Sequence, residues 1–137
     1  MLRIKNYDHV AIAVNSIEES LKLYKDILGG KVIAERQLGY DGSIYWVQVL
    51  LGGAKIELIE PRTSGSSLAR FLDKHGEGLH HISLRVENIE EAIAHLERNG
   101  IRVVDKYLDD PKFKTAFISP RNVSHVLIQV YESYEED

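Results

Sequence analysis

The sequence contains no cysteine, which excludes disulfide bonds, thiolate metal ligands and a cysteine nucleophile. It also lacks an excess of basic residues: 17 Lys and Arg stand against 21 Asp and Glu, which argues against a nucleic-acid-binding protein. No apolar run is long enough to cross a bilayer, and the first residues lack the apolar core of a signal peptide. We therefore expect a cytoplasmic protein with no membrane or nucleic-acid partner.

What the sequence does have is an internal repeat with an offset of 72 residues. Residues 8–21 read DHVAIAVNSIEESL, and residues 80–93 read HHISLRVENIEEAI. A hydrophobic content of 44% and a charged content of 28% are ordinary for a globular protein. The length fits one domain, 1–137, built from two modules at about 4–60 and 79–131.

Each copy of the repeat predicts a strand followed by a capped helix. Ser16 with Glu19, and Asn88 with Glu91, are capping boxes at the two helix starts. The predicted apolar stripe of the first helix consists of Ile17, Leu21, Tyr24 and Leu28. The strands predicted after the helices span 31–37, 43–51, 54–59, 102–106, 114–118 and 126–131, and a linking helix spans 67–75. Each half therefore reads βαβββ, an α+β pattern.

Side-chain alternation places a histidine on one face of the first strand of each copy. Val10 and its alternating neighbours are large and β-branched, so we expect them to pack under the helix. The opposite face carries His9 with two alanines, and in the second copy it carries His81, Ser83 and Arg85. Small and polar neighbours around a histidine are typical of a cavity lining.

The last strand of each module adds an oxygen donor at the same offset, Glu57 in the first and Gln129 in the second. If the two sheets curl around a shared cup, His9, Glu57, His81 and Gln129 converge there. Two imidazoles and two oxygen donors suit a divalent ion such as Zn, Co, Ni, Mn or Fe. Each residue taken alone has a plainer interpretation, since a strand histidine is commonly hydrogen-bonded in a core and Glu57 could face solvent.

Three further residues are candidates for substrate binding: Gln48, Arg85 and His125. Arg85 could bind a substrate carboxylate or form a salt bridge at the rim, and both interpretations remain open. His80 has the opposite parity to His81, so we expect it to pack away from the cup.

Several stretches resemble the vicinal oxygen chelate superfamily, which includes glyoxalase I, extradiol dioxygenases and methylmalonyl-CoA epimerases. The similarity to the epimerases rests on residues 8–14, 55–61, 67–82 and 116–120, of which the segment GEGLHH before Ile82 is the most specific. The resemblance implies a glyoxalase-like fold, in which paired βαβββ modules form a curled mixed sheet cup. It also implies a single metal ion in the cup, with His9, Glu57, His81 and Gln129 as its ligands, and a homodimer.

The sequence departs from the epimerase pattern at the acids. Such epimerases have Gln at the first oxygen position and Glu at the second, whereas here Glu57 comes first and Gln129 second. Their other catalytic Glu falls on the strand predicted at 43–51, which contains no acid here. Glu57 is therefore the candidate catalytic base.

The predicted function is a divalent-metal-dependent epimerase or isomerase that abstracts a proton alpha to a carbonyl in an acyl-CoA or 2-oxo acid. The alternatives are a glyoxalase I-type lyase, a metal-dependent dioxygenase and a non-catalytic small-molecule binder of the same fold. Gln129 counts against the dioxygenase, and the retained ligand set counts against the binder.

Overall fold

The computed structural model describes residues 2–134, which form two successive βαβββ modules. The elements are β1 (Ile4–Ala13), α1 (Ile17–Leu21), β2 (Lys31–Leu38), β3 (Ile44–Leu51), β4 (Ala54–Pro61), α2 (Ser67–His75), β5 (Gly78–Val86), α3 (Ile89–Arg98), β6 (Val103–Tyr107), β7 (Phe113–Ile118) and β8 (Ile128–Ser133). The predicted α+β fold of paired βαβββ modules is thus confirmed. No helix among these residues is long and apolar enough to span a membrane.

The chain divides into two compact units. The first unit is His9–His80, and the second unit combines Met1–Asp8 with His81–Asp137. Each unit holds a mixed four-stranded sheet, because the first strand of a module pairs in parallel with the last and the other neighbours are antiparallel. The strand order is β2-β3-β4-β1 in the first unit and β5-β8-β7-β6 in the second.

Both faces of the first unit's sheet are covered. The helix α1 side is packed with buried apolar residues, namely Val14, Ile17, Val47, Val49, Ile56 and Leu58. On the opposite face, Leu68 and Leu72 of α2 pack on Ala11 and Ala13. The alanines were expected to line a cavity, and this expectation is wrong for them. Their small side chains instead let α2 pack closely on the strand.

The second unit has an apolar core on one side of its sheet, under α3. Val86, Ile89, Ala92, Ile93, Ala116 and Val130 form it. The other face is polar: Ser83 and Thr115 are fully buried there, and Arg85 is 7% exposed. The alternation that gives β5 one apolar and one polar face therefore persists in the folded chain.

The first helix departs from the prediction. After α1, residues Lys22–Ile27 wind as a π-helix, with the Leu28 amide bonded to the Leu23 carbonyl at 2.8 Å. The wider turns of the π-helix change the direction in which the later side chains point. Leu28, which was predicted to lie on the apolar stripe of the helix, is therefore 57% exposed. Ile17 at the other end of the stripe is buried as predicted.

The helix starts are capped twice over. Ser16 and Asn88 accept hydrogen bonds from the amides of Glu19 and Glu91, which confirms both residues as the predicted N-caps. A carboxylate from the last strand of each module also accepts the first helical amide. Glu60 Oε1 lies 2.8 Å from Ile17 N, and Glu132 Oε1 lies 2.9 Å from Ile89 N. Negative charge at a helix N-terminus stabilises the helix, so Glu60 and Glu132 join each helix to its sheet.

Candidate metal site

A buried imidazole–carboxylate pair lies in the first unit. Because β1 and β4 run parallel with Ala11 opposite Glu57, the side chains of His9 and Glu57 reach the same face of the sheet. The His9 Nε2 atom is 3.1 Å from Glu57 Oε2, and their side chains are 6% and 13% exposed. The structure therefore brings together two of the four predicted ligands.

Gln48 completes this cluster from β3. It lies directly opposite Glu57 in the antiparallel pair of β3 and β4, and its Nε2 donates to Glu57 Oε2 at 3.1 Å. The carboxylate oxygen thus has both an imidazole and a carboxamide beside it. The hydrogen bond from Gln48 offsets part of the cost of removing the Glu57 carboxylate from water. It helps to explain how β4 accommodates Glu57 between the buried residues Ile56 and Leu58.

The donor atoms of the pair lie close together on one face of the sheet. The observed separation of His9 Nε2 and Glu57 Oε2 is 3.1 Å. Imidazole and carboxylate are ligands of zinc and of other first-row divalent ions. Within residues 2–134, however, no group of three or more His, Cys, Asp or Glu is placed to hold a metal.

The other two predicted ligands lie in the second unit. His81 is 8% exposed and stands edge-on to the ring of Phe117, with the ring centroids 5.6 Å apart. Gln129 donates its Nε2 to Thr115 Oγ1 at 3.1 Å, and Thr115 donates to the Val130 carbonyl at 3.0 Å. Since the amide nitrogen of Gln129 is directed at Thr115, the carboxamide oxygen is the atom suited to bind a metal.

The three substrate-binding candidates have different surroundings. Gln48 contacts Glu57, as described. Arg85 is buried and donates its Nη2 to the Ser133 carbonyl at 2.9 Å. His125 is exposed at the end of a 3-10 turn, Val123–His125, with a φ of 55°. Their roles toward a substrate remain predictions.

The remaining histidines near the linking helix serve packing. His80 and His75 lie against the ring of Phe71, with centroid distances of 4.7 and 4.9 Å. Burial lowers the pKa of His80 to about 4, because the charged imidazolium is poorly solvated there. His80 was expected to pack away from the cup residues, but its ring partner Phe71 belongs to α2, which packs on the face that bears Ala11 and Ala13.

Two features of the polar faces escaped the sequence-based prediction. Gln48 was expected to bind substrate, and its position opposite Glu57 was not predicted. The two-residue turn between the strands predicted at 43–51 and 54–59 nevertheless fixes that register. Ser83 is fully buried, and its hydroxyl has no hydrogen-bond partner among residues 2–134.

A separate cleft of about 380 Å³, on the α1 side of β1, is lined by Ile12, Tyr24 and Glu77 and includes no predicted ligand.

Comparisons with known proteins agree with the fold. A family model of the Glyoxalase/Bleomycin resistance protein/Dioxygenase superfamily matches residues 8–117. The Bacillus subtilis protein YqjC, named as uncharacterized, is 32% identical over 127 residues, which cover 91% of this chain and 90% of YqjC. The ethylmalonyl-CoA/methylmalonyl-CoA epimerase of Cereibacter sphaeroides is 32% identical over 133 residues, covering 93% of this chain and 97% of that protein.

A solved structure extends the similarity to three dimensions. The methylmalonyl-CoA epimerase of Mycobacterium tuberculosis matches with a TM-score of 0.84 and 28% identity, over 96% of this chain and 90% of that one. The family model and the relatives both span most of the chain. The chain belongs to the glyoxalase/bleomycin resistance protein/dioxygenase superfamily.

Proposed function

We propose that this protein is a divalent-metal-dependent epimerase or isomerase that removes a proton alpha to the carbonyl of an acyl-CoA thioester, as a methylmalonyl-CoA epimerase does. The observation that carries the proposal is the buried pair of His9 and Glu57, whose donor atoms are 3.1 Å apart. Relatives named as methylmalonyl-CoA epimerases support the choice of substrate class.

His9 and Glu57 would hold the metal from the first unit, and the repeat assigns His81 and Gln129 as the other two ligands. The neutral imidazoles contribute lone pairs, while Glu57 contributes the negative charge of the set. A bound divalent ion supplies Lewis-acid stabilisation of the negative charge that develops on the substrate carbonyl oxygen. The burial of His9 and His81 limits access of water to their ring nitrogens.

Glu57 is the group in the His9 cluster that can accept a proton, because the carboxamide of Gln48 beside it cannot. The corresponding residue of the second unit, Gln129, is also a carboxamide. A single base that removes a proton and returns it to the same face exchanges the hydrogen without inverting the carbon. This observation favours a second candidate, a one-base isomerisation of the glyoxalase I type.

The test is to incubate the protein with methylmalonyl-CoA of one configuration in D₂O containing Co²⁺. Mass spectrometry then measures deuterium at C2, and chiral analysis measures inversion. We expect deuterium uptake in the wild type and in Glu35→Gln, an exposed control, and its loss in Glu57→Gln. Equal rates of exchange and inversion indicate an epimerase, whereas exchange that outruns inversion indicates one-base chemistry.

Other outcomes identify the alternatives. Isomerisation of a 2-oxoaldehyde hemithioacetal without exchange of methylmalonyl-CoA would establish the glyoxalase I-type activity. Oxygen consumption that depends on iron would establish a dioxygenase. Stoichiometric binding of a small molecule without turnover would establish a binding protein.

We also propose that the protein is a cytoplasmic homodimer, as its resemblance to the epimerases implies. Light scattering would give twice the chain mass of 15.6 kDa for a dimer. A mass of one chain would contradict this proposal.

A further inference from the structure

The direction of the Gln48 side chain is fixed by the strands around it. Its neighbours Val47 and Val49 are 2% and 0% exposed in the core beneath α1, so alternation sends Gln48 to the opposite face. Glu57 is directed the same way, because Ile56 and Leu58 on either side of it belong to that same core. A slip of β3 by one residue would turn Gln48 toward the core under the helix, which specifies the register strongly.

Two nitrogen atoms lie near one oxygen of Glu57, and the Gln48 carboxamide donates a hydrogen bond to it. The Nε2 atoms of His9 and Gln48 are each 3.1 Å from Glu57 Oε2. A glutamate has three side-chain torsions, and one that is 13% exposed could turn toward water if nothing held it. The carboxamide of Gln48 is uncharged at every pH, so it restrains the carboxylate without competing for a proton.

We infer that Gln48 is a positioning residue, which holds the Glu57 carboxylate beside His9 in the geometry that a shared metal ion requires. This inference rests on the proposed function, since it assigns Gln48 a role through a proposed ligand. Residues that orient metal ligands through hydrogen bonds typically change metal affinity by about 10–100-fold when they are removed.

The second unit has a different arrangement at the equivalent place. The residue opposite Gln129 in the β7–β8 pair is Phe117, which has no hydrogen-bond donor in its side chain. Gln129 is held instead by the hydroxyl of Thr115. In the first unit, the donor Gln48 lies opposite the charged residue Glu57. In the second unit, Phe117 lies opposite the neutral residue Gln129.

The test compares Gln48→Leu with Gln37→Leu, the same substitution at an exposed position of β2. Calorimetric titration with Co²⁺ measures metal affinity, and thermal unfolding measures stability. We expect Gln48→Leu to raise the Kd for Co²⁺ about tenfold or more, with Gln37→Leu unchanged. A Kd equal to that of the wild type in Gln48→Leu would overturn the inference.

Exchanging the side chains of Gln48 and Glu57 tests whether Co²⁺ binding needs the carboxylate at position 57 or only a carboxylate paired with a carboxamide. Gln48→Glu alone places two carboxylates against each other and is expected to lower stability. The double variant with Gln48→Glu and Glu57→Gln restores one carboxylate and one carboxamide, but it moves the charge to β3, away from His9. We expect it to recover thermal stability while Co²⁺ affinity stays low. Recovery of Co²⁺ affinity would show that the location of the carboxylate is irrelevant and would contradict the inference.

A metal-free crystal structure of Gln48→Leu separates this inference from the proposed function. If Gln48 holds the carboxylate, Glu57 Oε2 in the variant moves away from His9 Nε2, beyond the 3.1 Å of the wild type. An unchanged distance overturns the positioning role. A wild type that binds no Co²⁺ overturns the metal proposal, and the crystal structure then still decides whether Gln48 orients Glu57.

Discussion

The two units share a frame but differ in the chemistry of one sheet face. In both, the first strand carries a histidine, and a carboxylate of the last strand caps the helix at 2.8 and 2.9 Å. In the first unit, the face that bears His9 continues into alanines packed under α2. In the second, the same positions are Ser83 and Arg85, both buried. The repeat thus preserves the residues that join helix to sheet, while polarity and charge on the other face diverge.

This difference assigns unequal roles to the two oxygen donors. Glu57 brings a charge and accepts a hydrogen bond from Gln48 beside His9, whereas Gln129 is neutral and donates to Thr115. A base must carry a lone pair that can accept a proton at neutral pH. Under the proposed function, both the charge of the ligand set and the base would lie in the first unit.

The largest expected effect comes from removing that charge. Glu57→Gln keeps the size of the side chain but cannot accept a proton, so the rate of C2 hydrogen exchange should fall about 10²–10⁴-fold. Gln129→Ala removes a neutral ligand and leaves the base in place, so the exchange rate measured at saturating Co²⁺ should fall less than in Glu57→Gln. Exchange kinetics and Co²⁺ titration of both variants measure the contrast. Equal losses of exchange rate in the two variants would remove the distinction between the units.

The packing of α2 on the first unit can be broken by truncating Leu72, which is 8% exposed. Leu72→Ala leaves a cavity over the alanines of β1 and should lower the free energy of unfolding by about 2–5 kcal/mol. Leu28→Ala, at a site 57% exposed beyond the π-helix, should change it by less than about 0.5 kcal/mol. Urea denaturation measures both. A large cost at Leu28 would show that the helical stripe is buried after all.

The carboxylate caps should differ between the units because their exposure differs. Glu132 is 7% exposed, whereas the side chain of Glu60 is 19% exposed and also contacts Arg36 at 3.4 Å. Glu132→Ala should cost about 1–3 kcal/mol, and Glu60→Ala less. Glu35→Ala, on the exposed edge strand, is the control in the same denaturation experiment. The reverse ranking would mean that burial does not govern the strength of these caps.

The smallest effect concerns Ser83, whose buried hydroxyl has no hydrogen-bond partner in the part of the chain that the structure describes. Ser83→Ala makes this position the same as Ala11 in the first unit and should raise stability by up to about 1 kcal/mol. The reciprocal Ala11→Ser buries a hydroxyl under α2 and should cost about 1–3 kcal/mol. Thermal unfolding of the pair measures the difference. A lower stability of Ser83→Ala would show that the hydroxyl makes a stabilising contact.

The repeat explains why so much of the frame could be predicted from the sequence. Helix-capping residues and strand alternation are local patterns, and they correctly placed Ser16, Asn88 and the alternation of polar and apolar side chains along β5. The same offset also relates Glu60 to Glu132, so it held a signal for the helix caps that was not used.

One feature that escaped prediction depends on contacts between distant parts of the chain, since the packing of α2 on Ala11 requires the tertiary structure. The bond between Gln48 and Glu57 is local instead, because the two-residue turn between Leu51 and Ala54 fixes which residues of β3 and β4 lie opposite each other. The π-helix after α1 replaces one helical hydrogen-bonding pattern with another, and apolar periodicity does not distinguish the two in so short a segment.

The most direct test of the metal site is elemental analysis of the protein purified without added metal, beside a double variant with His9→Ala and His81→Ala. The account predicts a divalent metal in near-stoichiometric amount in the wild type and its loss in the double variant. A wild type that contains no metal and takes up none on titration with Co²⁺ would contradict it.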